Sequence, residues 1–224
     1  MPSPIPIVWV KQITDFYCGP AAGVMILNGL GVASPLGAAA KKQWQEKLWQ
    51  AINQLTTGPD RPEEASSGNG YIEEFEGQQC YLCSGDWVCW AATPQALRDA
   101  VNKYLPAGQA LKISRSVNEV TVTAAVLKSI DAQSPAAVSA GAESHWVVVR
   151  GYLAGEPDLE FQKVGGRKLN GLYVLDPQVD PTDPDGLDFV PIKKFFDQFT
   201  MFVKCGSALD KNKKVVIVKK PKQK

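Results

Sequence analysis

Histidine is nearly absent from this chain: 224 residues hold a single one, His145. Any imidazole chemistry must therefore run through that one ring. Long apolar runs are missing too. Uncharged apolar runs such as Trp146–Val149 and Val215–Val218 fall far short of the ~20 residues a membrane-crossing helix needs, so no membrane span is expected. The opening Met1-Pro2-Ser3-Pro4-Ile5-Pro6 lacks the basic start and long apolar stretch of a secretory signal. With 45% hydrophobic and 21% charged residues, what remains is an ordinary globular composition, long enough for one large domain or two closely packed lobes with a substantial core.

Excess charge of either sign is also lacking, since the formal net charge is +1, but the charges are unevenly placed. The last fourteen residues, Lys211–Lys224, carry seven lysines and no acid, leaving 17 basic against 23 acidic residues elsewhere, near −6. No aromatic residue is interleaved with those lysines, so no nucleic-acid partner is expected. The pattern predicts instead a solvated strand, Val215-Val216-Ile217-Val218, whose lysine-rich end keeps a sheet edge soluble.

Five cysteines are present, at 18, 80, 83, 89 and 205. The odd count suits one free nucleophile beside four others, which are either free thiols or two disulfides in one of three connectivities. Cys80-x2-Cys83-x5-Cys89 has three thiols, no nearby histidine and no second Cys-x-x-Cys, so neither a metal nor another cofactor is expected.

Residues 3–11 read as an extended lead-in punctuated by proline. Gly19-Pro20-Ala21-Ala22 then opens an apolar helix to about Leu30, with Pro20 in a first turn where its missing N–H is not needed. Cys18 thus falls at a helix N-terminus, where the dipole favours a thiolate. A second helix, Leu36 to Leu55, carries Leu36, Ala40, Trp44, Leu48, Ala51, Ile52 and Leu55 at helical spacing, with Trp44 and Trp49 as packing residues. Residues 57–92, rich in Gly, Pro, Ser and acids, read as a long irregular region, and Thr93-Pro94 caps a helix through Leu105.

The second half changes character. Strands are predicted at 111–115, 136–140, 145–152, 171–176, 189–191, 200–204 and 213–218. Helices are expected at 120–131 and 192–199, a loop or hairpin at 155–166, and a turn at 180–188. Helices first and sheet afterwards indicate an α+β architecture in two lobes.

The chemistry then selects four residues. A thiol nucleophile needs a base, and the base needs a group that orients it. Cys18, His145 at the head of His145-Trp146-Val147-Val148-Val149, and Asp176 at the close of Tyr173-Val174-Leu175-Asp176-Pro177 fill those roles. Asp180 is the alternative carboxylate. The tetrahedral intermediate of acyl transfer needs hydrogen-bond donors, for which the Cys18 N–H and the Gln12 side-chain amide, six residues earlier, are candidates. Trp146 reads as a packing lid that dries the ion pair, with a secondary substrate-binding role, and Tyr17 as a residue bordering the cleft.

The order Gln12, Cys18, His145, Asp176, with the cysteine opening a helix and the histidine on a strand, resembles the papain-like cysteine peptidases. Gln-x5-Cys-Gly-Pro-Ala-Ala, His-Trp-Val-Val-Val-x-Gly-Tyr and Leu-Asp-Pro are most similar to the bacterial branch related to bacteriocin-leader-processing (double-glycine) peptidases. Tyr17-Cys18-Gly19-Pro20 and Asp176 stand where plant and lysosomal papains carry a Cys-Gly-Ser-Cys-Trp type signature and an asparagine. The resemblance implies a papain-like two-lobe fold: a helical lobe over about 12–107 opening with the Cys18 helix, and an antiparallel β lobe over about 108–218 carrying His145 and Asp176. Residues 1–210 then form a single catalytic domain, with 219–224 a lysine-rich tail.

What the resemblance implies for function is hydrolysis of a peptide or isopeptide amide through a thioester on Cys18, without a cofactor. Partners expected are a protein or peptide substrate and an inhibitor or immunity-type protein, in a secreted toxin or effector setting. Localisation is left open between the bacterial cytoplasm and export without a recognisable signal. Two other readings compete. The same acyl-enzyme serves glutamine deamidation, transglutamination or acyl transfer, and a non-catalytic binding module would use the 57–92 segment and basic tail as contact surfaces.

Overall fold

The structure is a computed structural model that describes residues 3–14, 17–55, 72–75, 78–83, 86–89, 92–140, 145–180, 182, 188–198 and 213–220. Helix α1 (Cys18–Gly29) is apolar from Cys18 to Leu27 for a reason visible in its surroundings: every one of those residues is buried. It packs against α2 (Ala38–Leu55) and α3 (Pro94–Asn102) on one side and the main sheet on the other. Gly23 lets these helices approach, since a Cβ there would sit 2.9 Å from Leu48 and 3.2 Å from Val101. On α2 the buried stripe is Leu48, Ala51 and Ile52, joined by one polar residue, Gln45. Thr93 caps α3 as expected, its hydroxyl accepting from the Ala96 N–H at 3.2 Å.

The main sheet is antiparallel. Its strands are β4 (Leu111–Ser116), β5 (Ala136–Ala140), β6 (His145–Ala154), β7 (Gln162–Val164), β8 (Arg167–Leu175), β9 (Phe189–Pro191) and β10 (Lys214–Lys219). They lie in the order β4-β10-β5-β6-β8-β7, with β9 pairing on β8. Both faces are covered. Trp146, Val148, Ala137, Val215 and Ile217 join the core with α1–α3, and Val147, Val149, Val138, Val216 and Val218 join a second core. That second core is closed by α4 (Glu119–Asp131) and α5 (Ile192–Gln198), through residues such as Val126, Ile130 and Phe195. Alternate side chains of a strand face opposite ways. Two covered faces therefore explain why the runs 146–149 and 215–218 contain no polar position. The chain is thus α+β, with helices α1–α3 first and the antiparallel sheet after them.

Two sequence expectations need correction. Strand β10 is not an edge. It lies between β4 and β5, and Val215–Val218 are only 1–2% exposed. The lysines flank a core strand and do not solubilise a free edge. Nor is 57–92 irregular throughout. The backbone of β1 (Ile72–Phe75), β2 (Gln78–Cys83) and β3 (Asp86–Cys89) forms a three-stranded antiparallel sheet, in which Cys80 lies opposite Cys89 and Cys83 opposite Asp86. Residues 56–71, the expected strand at 200–204 and Cys205 lie outside the described residues, as does most of the 180–188 turn. Among the described residues no helix is long and apolar enough to cross a membrane.

Candidate active site

Strand pairing brings the candidate base and acid together from 31 positions apart. His145 opens β6 and Asp176 follows the last residue of β8. These strands run antiparallel with Val148 opposite Leu175, so the start of one meets the end of the other. The His145 Nε2 lies 2.7 Å from the Asp176 Oδ1, with both side chains largely buried. The same Oδ1 accepts the Gln178 backbone N–H at 2.8 Å, which holds the carboxylate in a local turn. The Asp176 main-chain carbonyl in turn accepts the Trp9 indole N–H at 2.8 Å. Asp180 is not the partner: its carboxylate accepts from the backbone and hydroxyl of Thr182, and the backbone hydrogen bond is the leading cause holding it below its ordinary range.

The third member arrives on α1, which packs on β6. Cys18 is a buried thiol, 4% exposed, that hydrogen-bonds to the His145 ring. Nε2 is committed to Asp176, which leaves Nδ1 for the sulfur. Burial opposes charge on His145. The hydrogen bonds to Asp176 and Cys18, with their negative charge, outweigh it and push the ring up to about 9. An imidazolium is therefore the resting form at neutral pH. Tyr17 is the N-cap residue of α1, and its side chain makes no cap hydrogen bond.

Close packing fixes the floor of the site. The Trp146 indole N–H donates to the Ala92 carbonyl at 3.0 Å, and a Cβ on Gly19 would fall 2.5 Å from the Ala92 Cβ and 3.6 Å from the Trp146 ring. Trp146 is 1% exposed, and Tyr17, at 8%, stacks on Trp49 with ring centroids 5.0 Å apart. Burial, with the Glu46 carboxylate second, pushes the Tyr17 phenol up. Both rings pack around the pair, and neither is more than 8% exposed.

Gln12 sits on the lead-in beside the Asp176 end of β8, its backbone N–H donating to the Pro177 carbonyl at 3.0 Å. Its side-chain oxygen is buried without a hydrogen-bond partner among the described residues. Three residues that support this arrangement were not singled out from sequence: Trp9, Ala92 and Gln45. Only Gln45 carried a signal, as a polar residue on the apolar stripe of α2 beside Trp44 and Leu48. Among the described residues, no group of His, Cys, Asp and Glu is arranged to hold a metal ion.

Residues 4–202 match the Peptidase_C39 like family. The chain belongs to that family. It is a cysteine peptidase, related to the bacteriocin-leader-processing enzymes, on a papain-like fold. No curated protein matches this peptidase. Among solved structures it aligns with a double glycine motif protease from an AMS/PCAT transporter, crystallised in complex with the leader peptide. That alignment covers 98% of this chain and 94% of the other, at 14% identity and a TM-score of 0.47.

Proposed function

We propose that this peptidase hydrolyses a peptide or isopeptide amide through a thioester formed on Cys18. The observation that carries the reading is the chain of contacts from sulfur to imidazole to carboxylate, with a 2.7 Å His145–Asp176 hydrogen bond and a ring that keeps its proton to about pH 9. The Cys18 thiolate attacks the carbonyl carbon, and the carbonyl electron pair moves onto oxygen. The Cys18 N–H and the Gln12 amide stabilise that oxyanion. Collapse expels the amine, which takes its proton from the His145 imidazolium. The neutral ring then removes a proton from water as the water attacks the thioester, and the acid product leaves. Asp176 holds the ring in one orientation and supports its charged form. The helices through residue 107 and the sheet that follows act as one catalytic domain, which the core shared by α1–α3 and the sheet supports.

The test is incubation with a denatured-protein digest, read by mass spectrometry. New peptide termini with wild type, lost by roughly 10⁴-fold or more in Cys18→Ala and in His145→Ala, are expected. Amide-to-acid mass gains without new termini would replace hydrolysis by deamidation. Full activity in either variant would end the proposal.

A further inference from the structure

Gln45 lies near the middle of α2, a helix that contributes no group to the chemistry described above. It is 1% exposed, yet both ends of its side-chain amide are engaged. Its Nε2 donates to the Lys11 carbonyl at 3.0 Å, and its Oε1 accepts the Ile13 N–H at 3.2 Å. These two backbone groups flank Gln12 on either side. The Gln12 N–H points the other way and donates to the Pro177 carbonyl at 3.0 Å. In extended backbone, groups of successive residues point to opposite sides. One side of the lead-in is therefore held by α2, and the other by the residue that follows Asp176. Three hydrogen bonds across three consecutive residues leave Gln12 little freedom to rotate.

We infer that Gln45 is a positioning residue for catalysis, clamping the backbone around Gln12 so that the Gln12 amide is pre-aimed at the oxyanion. The inference rests on the proposed role of Gln12. Its physical basis is preorganisation: a donor helps only if it already occupies the place where charge will develop. Misplacing such a group by about 1 Å costs on the order of 100-fold in rate. A buried amide with both ends satisfied is a costly way to fill a helix stripe otherwise made of Leu48, Ala51 and Ile52. The bonds it makes are with the two backbone groups that set the conformation at residue 12.

The experiment compares two reactions of Cys18. Acylation by p-nitrophenyl acetate passes through a tetrahedral oxyanion, whereas alkylation by iodoacetamide needs the thiolate and makes no oxyanion. Gln45→Met keeps length and apolar bulk and removes both hydrogen bonds. It should slow acylation about 10- to 100-fold and leave alkylation within about twofold of wild type. In a Gln12→Ala background, Gln45→Met should produce no further loss, because its effect passes through Gln12. Should Gln45→Met not fold, Gln45→Glu replaces it with the same expectations, keeping the acceptor for Ile13 and losing the donor to Lys11. Unchanged acylation in the single variant, an equal loss in the Gln12→Ala background, or a parallel loss of alkylation would each overturn the inference. Failure of wild-type Cys18 to react selectively with iodoacetamide would instead count against the Cys18–His145 site itself.

Discussion

Trp9 donates its indole N–H to the main-chain carbonyl of Asp176 across 167 positions of sequence, at 2.8 Å. The N-terminal lead-in is thereby tied to the residue that orients His145. Trp9→Phe keeps an aromatic ring and removes this hydrogen bond. It should lower stability by about 1 kcal/mol in urea unfolding. It should also slow acylation of Cys18 severalfold, because the carboxylate loses one of the supports of its backbone. An unchanged acylation rate would show that the Trp9 contact serves stability alone.

Gly19 and Ala92 make a second, tighter constraint. A methyl group on Gly19 would fall 2.5 Å from the Ala92 Cβ, and neither is the end of a flexible side chain. Backbone must move, and the part that moves carries Cys18. Gly19→Ala should cost about 1–3 kcal/mol by chemical denaturation, together with a marked loss of Cys18 alkylation. A stable variant with normal alkylation would show that α1 slides without disturbing the site.

The charge on Asp176 should set the alkaline limit of acylation. With its aspartate, His145 keeps its proton to about 9. Asparagine keeps the shape and removes the negative charge, while the burial that opposes the imidazolium remains, so the ring loses its proton at lower pH. In Asp176→Asn the alkaline limb of the acylation rate should therefore move down by roughly 1–3 pH units. Rate profiles for the two proteins, recorded from pH 5 to 10, measure it. A limb that stays in place would remove Asp176 from the account.

Strand β10 separates a core strand from an edge strand by energy. Ile217 is 1% exposed between β4 and β5. Ile217→Ala should cost about 2–5 kcal/mol in urea unfolding, the range of core truncations. A cost within ±0.5 kcal/mol, typical of surface positions, would return β10 to the edge.

These particulars also show how far sequence reading reaches. His145 and Asp176 were readable because a unique histidine and an acid each border an apolar strand, and antiparallel pairing of those strands joins them. Cys18 was readable because Gly19-Pro20 begins a helix of small and apolar residues. Strand β10 misled because flanking lysines suggested solvent, although four apolar residues in a row already meant that both faces were covered. The three-stranded sheet was missed because Gly, Ser and acidic residues dominate its surroundings. Two residues separate Cys83 from Asp86, and the short spacing typical of a hairpin is easily lost in such a background. Gln45 was passed over because a single polar side chain on a helix usually reads as surface. Its partners are backbone groups more than thirty positions away, which no local pattern records.

The central claim is that Cys18, His145 and Asp176 form one electrostatic unit, and the chain offers an unusually clean reporter of it. With one histidine among 224 residues, the imidazole carbon-bound protons in an NMR spectrum belong to His145 alone. Titrated from pH 5 to 10, that ring should show a midpoint near 9 in wild type and a lower one in Cys18→Ala. A wild-type midpoint at the ordinary 6.5, unmoved by Cys18→Ala, would contradict the assembled site.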